Sequence, residues 1–208
     1  MTDHELDVRA LRKPDKHPTI FATYAGLGVG ESFVLVNNHD PRHLRDEFET
    51  EYPGGYEWSY LEPGPTVWRI QITKHTTTAL PRVLANTAAL ASAAEPDANG
   101  AIWNLPVRQR DLDANVIRLL PGGSIAEHAG PDIDVLIHVI DGTGHLITER
   151  GRLELSLGDV VWLPQHSRRQ FTAGAEGIRY LTVHRRRHGL VLEPATRASS
   201  STAGGVGV

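Results

Sequence analysis

Short β-strand patterns that recur through the second half of the chain, with glycines between them, constrain its fold most strongly. Runs of apolar and β-branched residues return roughly every 8–12 residues there. They span residues 115–120, 124–128, 135–140, 144–149, 152–155, 159–163, 168–172 and 178–184. Many short strands at such regular spacing are typical of an all-β sandwich or barrel. The second half therefore predicts an all-β unit.

The first half mixes helical and strand patterns. Strands are predicted at residues 5–10, 32–36, 56–61 and 66–73, and helices at 19–27 and 41–52. Asp40 before Pro41 is a typical helix start, in which the aspartate caps the helix. The order strand, helix, strand, helix, strand, strand indicates a compact α+β domain.

These patterns divide the chain into four segments. The α+β domain takes residues 1–75, and residues 76–110 form a linker with an alanine-rich helix, predicted over 77–94, and a lead-in strand. The loop at residues 95–100 marks the domain boundary, since it combines glutamate, proline, asparagine and glycine. The barrel takes residues 111–188, and the small, polar composition of 189–208 predicts a disordered tail.

Composition excludes several classes of protein. The 208 residues include no cysteine, so disulfides, thiolate metal sites and cysteine nucleophiles are excluded. A net charge of −4 supplies no strong basic field for nucleic acid. The polar start of the chain does not resemble a signal peptide, and no apolar run is long enough to span a membrane. We expect a soluble, cytoplasmic protein, and its 11 histidines are the natural source of metal ligands.

Motifs in the first half resemble a family of unknown function with the sulfur-carrier (TusA-like) fold, often fused to hemerythrin-like or cupin domains. The resemblance rests on four motifs: His17-Pro18-x-Ile20-Phe21, Gly30-Glu31-Ser32-Phe33, Asn38-His39-Asp40-Pro41 and Gly64-Pro65-x-x-Trp68-Arg69-Ile70. Sulfur carriers use a cysteine near the first helix, so a chain without cysteine cannot transfer sulfur as a persulfide. His17 and His39 each lie near a helix start, either as a ligand-binding or metal-binding pair or as parts of caps and turns.

Two motifs in the second half resemble those of the cupin superfamily, particularly its small single-barrel type. Gly122 stands six residues before His128, and Gly158 stands six residues before Pro164, as in the two cupin motifs. The resemblance implies a jelly-roll (double-stranded β-helix) barrel whose mouth holds a small molecule and often a divalent metal. The metal motif is altered, because Gly130 and Arg169 stand where the family has histidines, and His166 stands where it has a glycine.

The direction of the strand after residue 134 leaves two alternatives. If Asp134 points into the barrel, His138 does too, because alternate residues of a strand share a face. His128, Asp134 and His138 would then suit iron, manganese or zinc. If Val135 points inward instead, the interior holds His128 and Arg169, and a guanidinium there favours an anion over a metal.

Three further residues are candidates for ligand binding. Arg169 is the anion-binding candidate, and His184 joins the site if the face it shares with Tyr180 is internal. Trp162 could contact a ligand at the barrel mouth, although its alternation with Val160 favours packing in the barrel wall.

The expected function is therefore a cupin-domain protein that binds a small polar or anionic ligand, with or without a divalent metal and metal-dependent catalysis. The alternative is a non-catalytic sensor or accessory protein whose barrel binds ligand without metal and whose small domain docks a partner. A purely structural protein is a third reading. In each case we expect a homodimer through the barrel edges, with no nucleic-acid or membrane partner.

Overall fold

Four strands and two helices form the first part of the chain, in the order that the sequence predicts. The computed structural model describes residues 4–186, so the predicted tail at 189–208 lies outside the described residues. The elements are β1 (His4–Asp7), α1 (Lys13–Gly26), β2 (Ser32–Asn37), α2 (Arg42–Glu51), β3 (Tyr56–Pro63) and β4 (Trp68–Lys74). They build a sheet of order β1-β2-β4-β3, in which β1 and β2 are parallel and the other pairs antiparallel. Likeness to the sulfur-carrier fold stays a prediction.

Both helices begin differently from their predictions. α1 begins at Lys13, six residues before the predicted start, because Pro14 sits in the first turn, where a missing N–H removes no bond. α2 begins at Arg42 with Pro41 at the cap and no side-chain cap. The prediction that Asp40 caps α2 is therefore wrong. Its carboxylate instead accepts hydrogen bonds from Arg42 Nε at 2.7 Å and the Tyr60 hydroxyl at 2.9 Å.

The linker contains less helix than predicted. Only α3 (Thr87–Ala93) forms, and residues 77–86 are irregular. Pro81 interrupts the backbone hydrogen-bond pattern, and the threonines before it are β-branched. The helix starts where Asn86 Oδ1 accepts hydrogen bonds from the backbone N–H groups of Ala88 and Ala89, at 3.0 and 3.1 Å.

Residues 105–110 then run along the small domain, where Arg108 holds α2. Its guanidinium donates to both carboxylate oxygens of Glu47, at 2.8 and 2.7 Å, and its backbone N–H donates to Glu51 at 2.8 Å. Glu47 is buried and also contacts His17 Nδ1 at 3.0 Å and His43 Nε2 at 3.3 Å. A buried carboxylate needs such partners, since removing a charge from water is costly. This contact fixes the linker against the first domain.

Seven strands form the second part. They are β5 (Gly100–Asn104), β6 (Leu112–Leu119), β7 (Ser124–Ala129), β8 (Val135–Thr148), β9 (Gly151–Ser156), β10 (Val160–Leu163) and β11 (Arg168–Arg185). Two of them merge pairs of predicted strands, since β8 covers 135–140 with 144–149, and β11 covers 168–172 with 178–184. Each of these two strands contains a glycine with positive φ where the strands meet, Gly142 at 71° and Gly177 at 82°. Glycine adopts this backbone conformation without strain. A Cβ at Gly142 would collide with the carbonyl oxygen of Gly177.

The long strands β8 and β11 change partners along their length within one 7-stranded sheet. The first part of β8 pairs with β10 and its second part with β9, while β11 pairs with β7 early and with β6 late. The hydrophobic core of this sheet includes Val135, Ile137, Val139, Leu146, Leu163, Phe171 and Tyr180. The described chain is thus mostly β-sheet, as the sequence predicts.

Candidate functional site

The centre of the candidate site is the guanidinium of Arg169, near the start of β11. The side chain is only 5% exposed, although arginine is rarely buried without a partner. Its Nη1 atom has no hydrogen-bond partner within residues 4–186. Burial lowers the pKa of Arg169 from its usual value, and nearby Tyr180 offsets part of that shift. The chain therefore places an incompletely bonded cation inside its β-sheet half.

Gly130 provides the space that this arginine fills. A Cβ on Gly130 would collide with Arg169 Nη2 and lie only 2.6 Å from its Cζ. The loop that follows β7 is held by a hydrogen bond of 2.9 Å from the Gly130 N–H to the Ser167 carbonyl oxygen. The two positions where cupins have histidines thus lie in contact, and the guanidinium of Arg169 occupies the space in which a side chain at position 130 would lie. Both departures are visible in the sequence, whereas the contact between them is not, and their joint occurrence was the only available signal.

A cavity of about 270 Å³ adjoins Arg169. Its wall is mainly apolar, Thr148 and Ser167 add hydroxyl groups, and the charged residues Glu149, Arg150 and Arg168 also line it. Thr148 and Ser167 could not be predicted from the sequence, because nothing in their local pattern distinguishes them from other strand-end residues. The apolar lining comes from Leu146, Leu153, Val161, Trp162, Leu163 and Pro164. An apolar pocket with a few polar groups is the usual form of a small-molecule site.

Trp162 lines the same cavity from outside the core. It is 63% exposed, and Val160 is exposed on the same face of β10. The interpretation that Trp162 packs in the barrel wall is therefore wrong, because β10 turns this face toward solvent. Trp162 and Arg169 are the two candidate ligand-binding residues that the structure brings together.

The three predicted metal ligands, His128, Asp134 and His138, do not come together inside the barrel. Val135, Ile137 and Val139 are buried in the core, so Asp134 and His138 lie on the opposite, exposed face of β8. The alternative that places Asp134 and His138 inside the barrel is therefore wrong in its geometry. Asp134 accepts a hydrogen bond from the Gln165 N–H at 2.9 Å instead.

The remaining histidines do not complete a metal site. His128 lies opposite Arg169 on β7, but its side chain is exposed and its Nδ1 lies 2.9 Å from the Ala126 carbonyl oxygen. His184 is half-buried, contacts the Arg185 carbonyl oxygen at 2.9 Å and does not line the Arg169 cavity. Between residues 4 and 186, no three His, Asp or Glu side chains form a group that could hold a metal ion. The side chains around Arg169 do not fit the metal that the cupin resemblance implies.

Comparison with protein families and curated proteins gives one match. Residues 5–74 match a family described as "Uncharacterized conserved protein (DUF2249)". The match covers the first domain and extends no further. No curated protein matches the sequence. None of the helices in the described range is long and apolar enough to cross a membrane.

Comparison with solved structures places cupin-superfamily proteins among the structural neighbours. A sugar phosphate isomerase of that superfamily from Silicibacter pomeroyi is 22% identical, with a TM-score of 0.35, over 38% of this chain and 52% of that one. A cupin-2 domain protein from Shewanella frigidimarina is 14% identical, with a TM-score of 0.40, over 50% and 95%. A cupin protein from Bacteroides fragilis is 19% identical, with a TM-score of 0.39, over 56% and 94%. This chain spans about half the length of the isomerase, and at these identities and scores neither an activity nor a ligand follows for it.

Proposed function

We propose that the β-sheet half binds a small organic anion, carrying a carboxylate or phosphate group, through Arg169. The observation that carries this proposal is the buried guanidinium with an unpartnered Nη1 atom beside a 270 Å³ cavity. Arginine stays charged in proteins, so burial cannot be relieved by losing the proton. An uncompensated buried charge costs several kcal/mol. A bound anion would offset that cost and so would be favoured.

The chemistry of the cavity supports an organic anion. Guanidinium groups pair with carboxylates and phosphates through two parallel hydrogen bonds, a geometry that lysine cannot supply. The apolar wall and the exposed face of Trp162 would contact a hydrocarbon or ring portion of the ligand. The hydroxyl oxygens of Thr148 and Ser167 would accept hydrogen bonds from its polar substituents, because both hydroxyl protons are donated to backbone carbonyl oxygens.

We assign no metal to this cavity. A dication near Arg169 would be repelled, and the side chains of Asp134 and His138 point away from the core. The sensor or accessory protein is therefore preferred to the metal-dependent enzyme, while partner docking by the first domain stays a separate prediction. Metal analysis of protein purified without a histidine tag tests this choice, and stoichiometric metal would contradict it.

Ligand binding is tested by a thermal-shift screen of small carboxylic acids and phosphate esters, followed by calorimetry on the compounds that raise the melting temperature. Arg169→Met should lose at least about tenfold in affinity, because a hydrogen bond to a charged group contributes about 1.5–3 kcal/mol. Arg152→Met is the matched control, since Arg152 lies exposed on β9 and outside the cavity. Equal affinities of the wild type, Arg169→Met and Arg152→Met would show that the ligand does not bind at Arg169. That result, or the absence of any binding, would overturn the proposal.

A further inference from the structure

A second cavity lies in the first domain, where both helices begin. It measures about 150 Å³ and is lined by Lys16 and His17 of α1, by His43 of α2 and by His39 between β2 and α2. The structure therefore brings together His17 and His39, which the sequence suggested as a pair. At roughly 30 Å³ for each liquid water, the space corresponds to about five waters, so it suits a ligand of only a few non-hydrogen atoms.

The start of α2 gives one side of this cavity an excess of hydrogen-bond donors. No side chain caps the helix, so the first-turn N–H groups, including those of His43 and Leu44, have no side-chain acceptor. This end of a helix carries the positive end of its dipole. Lys16 adds a full positive charge on the facing helix. Donors and positive charge together favour an anion.

The acidic groups near the cavity already have cationic partners. Asp40 lines the cavity but pairs with Arg42 at 2.7 Å. Burial raises the pKa of this carboxyl, but the hydrogen bonds from Arg42 and Tyr60 keep it below its usual value. Glu47 binds both guanidinium nitrogens of Arg108. Neither pair uses Lys16. Lys16 attracts Asp7 but forms no salt bridge within residues 4–186, so its charge is available to a ligand.

Asn37 provides the second, independent observation. Its side chain is 4% exposed and lines the cavity, and its Oδ1 atom has no hydrogen-bond partner among the described residues. Its Nδ2 donates to the His39 carbonyl oxygen at 3.0 Å, which sets the orientation of the amide. His17 donates from Nδ1 to Glu47 when neutral, so its Nε2 is also an acceptor. A buried, unpaired acceptor calls for a hydrogen-bond donor on the ligand.

We propose that this cavity binds a small oxyanion that keeps a proton at neutral pH, of which hydrogen phosphate is the simplest. The oxyanion accepts hydrogen bonds from the α2 N–H groups and Lys16, and its hydroxyl group donates to Asn37. The site is separate from the Arg169 cavity, because the two share no residue.

Inorganic phosphate and sulfate test this site on the full chain, because they share shape and charge type but only phosphate keeps a proton. We expect phosphate to shift the backbone amide resonances of residues 42–44 in nuclear magnetic resonance titrations. Sulfate should bind at least about tenfold more weakly, since it leaves Asn37 unpaired. Equal binding of the two anions, or no shift at residues 42–44, would overturn the proposal.

Matched variants distinguish binding at this site from nonspecific electrostatic attraction and from binding at the Arg169 cavity. Lys16→Met should weaken phosphate at least about tenfold, whereas Lys13→Met, in the same first turn but outside the cavity, should leave the affinity unchanged. Equal losses in both would show nonspecific attraction and refute the site. Arg169→Met should not alter the shifts at residues 42–44, so failure of either proposed site is distinguishable from failure of the other.

Discussion

Replacing Arg169 with methionine should stabilise the ligand-free protein. Methionine keeps an unbranched, flexible side chain, shorter than arginine by the end of the guanidinium group, and removes the buried charge. Most buried-residue substitutions destabilise, so an increase in stability would be diagnostic. The expected gain follows from the unpartnered Nη1 atom, because a buried polar group without a hydrogen bond costs about 1–3 kcal/mol in protein mutational data.

Urea unfolding of the wild type, Arg169→Met and Arg152→Met measures this gain. At a slope of about 2 kcal/mol per M, the transition of the β-sheet half should move upward by roughly 0.5–1.5 M in Arg169→Met. The exposed control Arg152→Met should stay within about 0.5 kcal/mol of the wild type. A ligand at 100 times its dissociation constant should then stabilise the wild type by about 2.7 kcal/mol and the Arg169 variant hardly at all.

Whether the wild type or Arg169→Met is the more stable protein should therefore depend on whether the ligand is present. Without ligand the Arg169 variant is the more stable protein, and with saturating ligand the wild type recovers or overtakes it. If Arg169→Met instead loses more than about 1 kcal/mol without ligand, the guanidinium is satisfied within the chain, and the reasoning from an unpaired buried cation is refuted.

Three further predictions concern the β-sheet half. Burial raises the pKa of Tyr180 to about 12 from an ordinary 10.0, so folding favours the neutral form of this side chain. The resulting contribution to the free energy of unfolding is present in full below pH 10 and is lost as the pH rises toward 12. Tyr180→Phe should make that loss shallower in urea titrations across this pH range, and an unchanged slope would contradict it. We propose that copies of the chain pair through the edge strand β10, where Val160 and Trp162 are exposed. Sedimentation equilibrium should then find a dimer that Val160→Lys dissociates, whereas a monomeric wild type would refute the pairing. A fragment starting at Asn99 keeps β5 and should unfold cooperatively, and a molten or insoluble fragment would show that the barrel depends on the first domain.

Local chemistry explains what could be predicted from sequence. Strand runs separated by glycines indicated the all-β half, because the pattern of alternation and turns needs no distant contact to be recognised. His166 has φ of 60° at the position where the second cupin motif has glycine, the residue that adopts such a backbone without strain. Histidine adopts this left-handed backbone more readily than most residues, so the turn survives the replacement.

Pairing between distant strands decided what the sequence left open. Strand alternation allowed either Asp134 or Val135 inside, and a shift of one residue exchanges the two faces. Val135 is buried because β8 pairs with β10 and β11 and its inner face packs into the hydrophobic core. The same packing turned Trp162 outward.

The contact between Arg169 and Gly130 also arises only from tertiary structure. The sequence by itself determined that two histidine positions of the cupin pattern carry a glycine and an arginine. It could not show that the arginine fills the space left by the glycine, because the two residues are 39 positions apart and meet only when β7 and β11 pair. Such proximity depends on the register of long-range strand pairing, which a local sequence pattern does not contain.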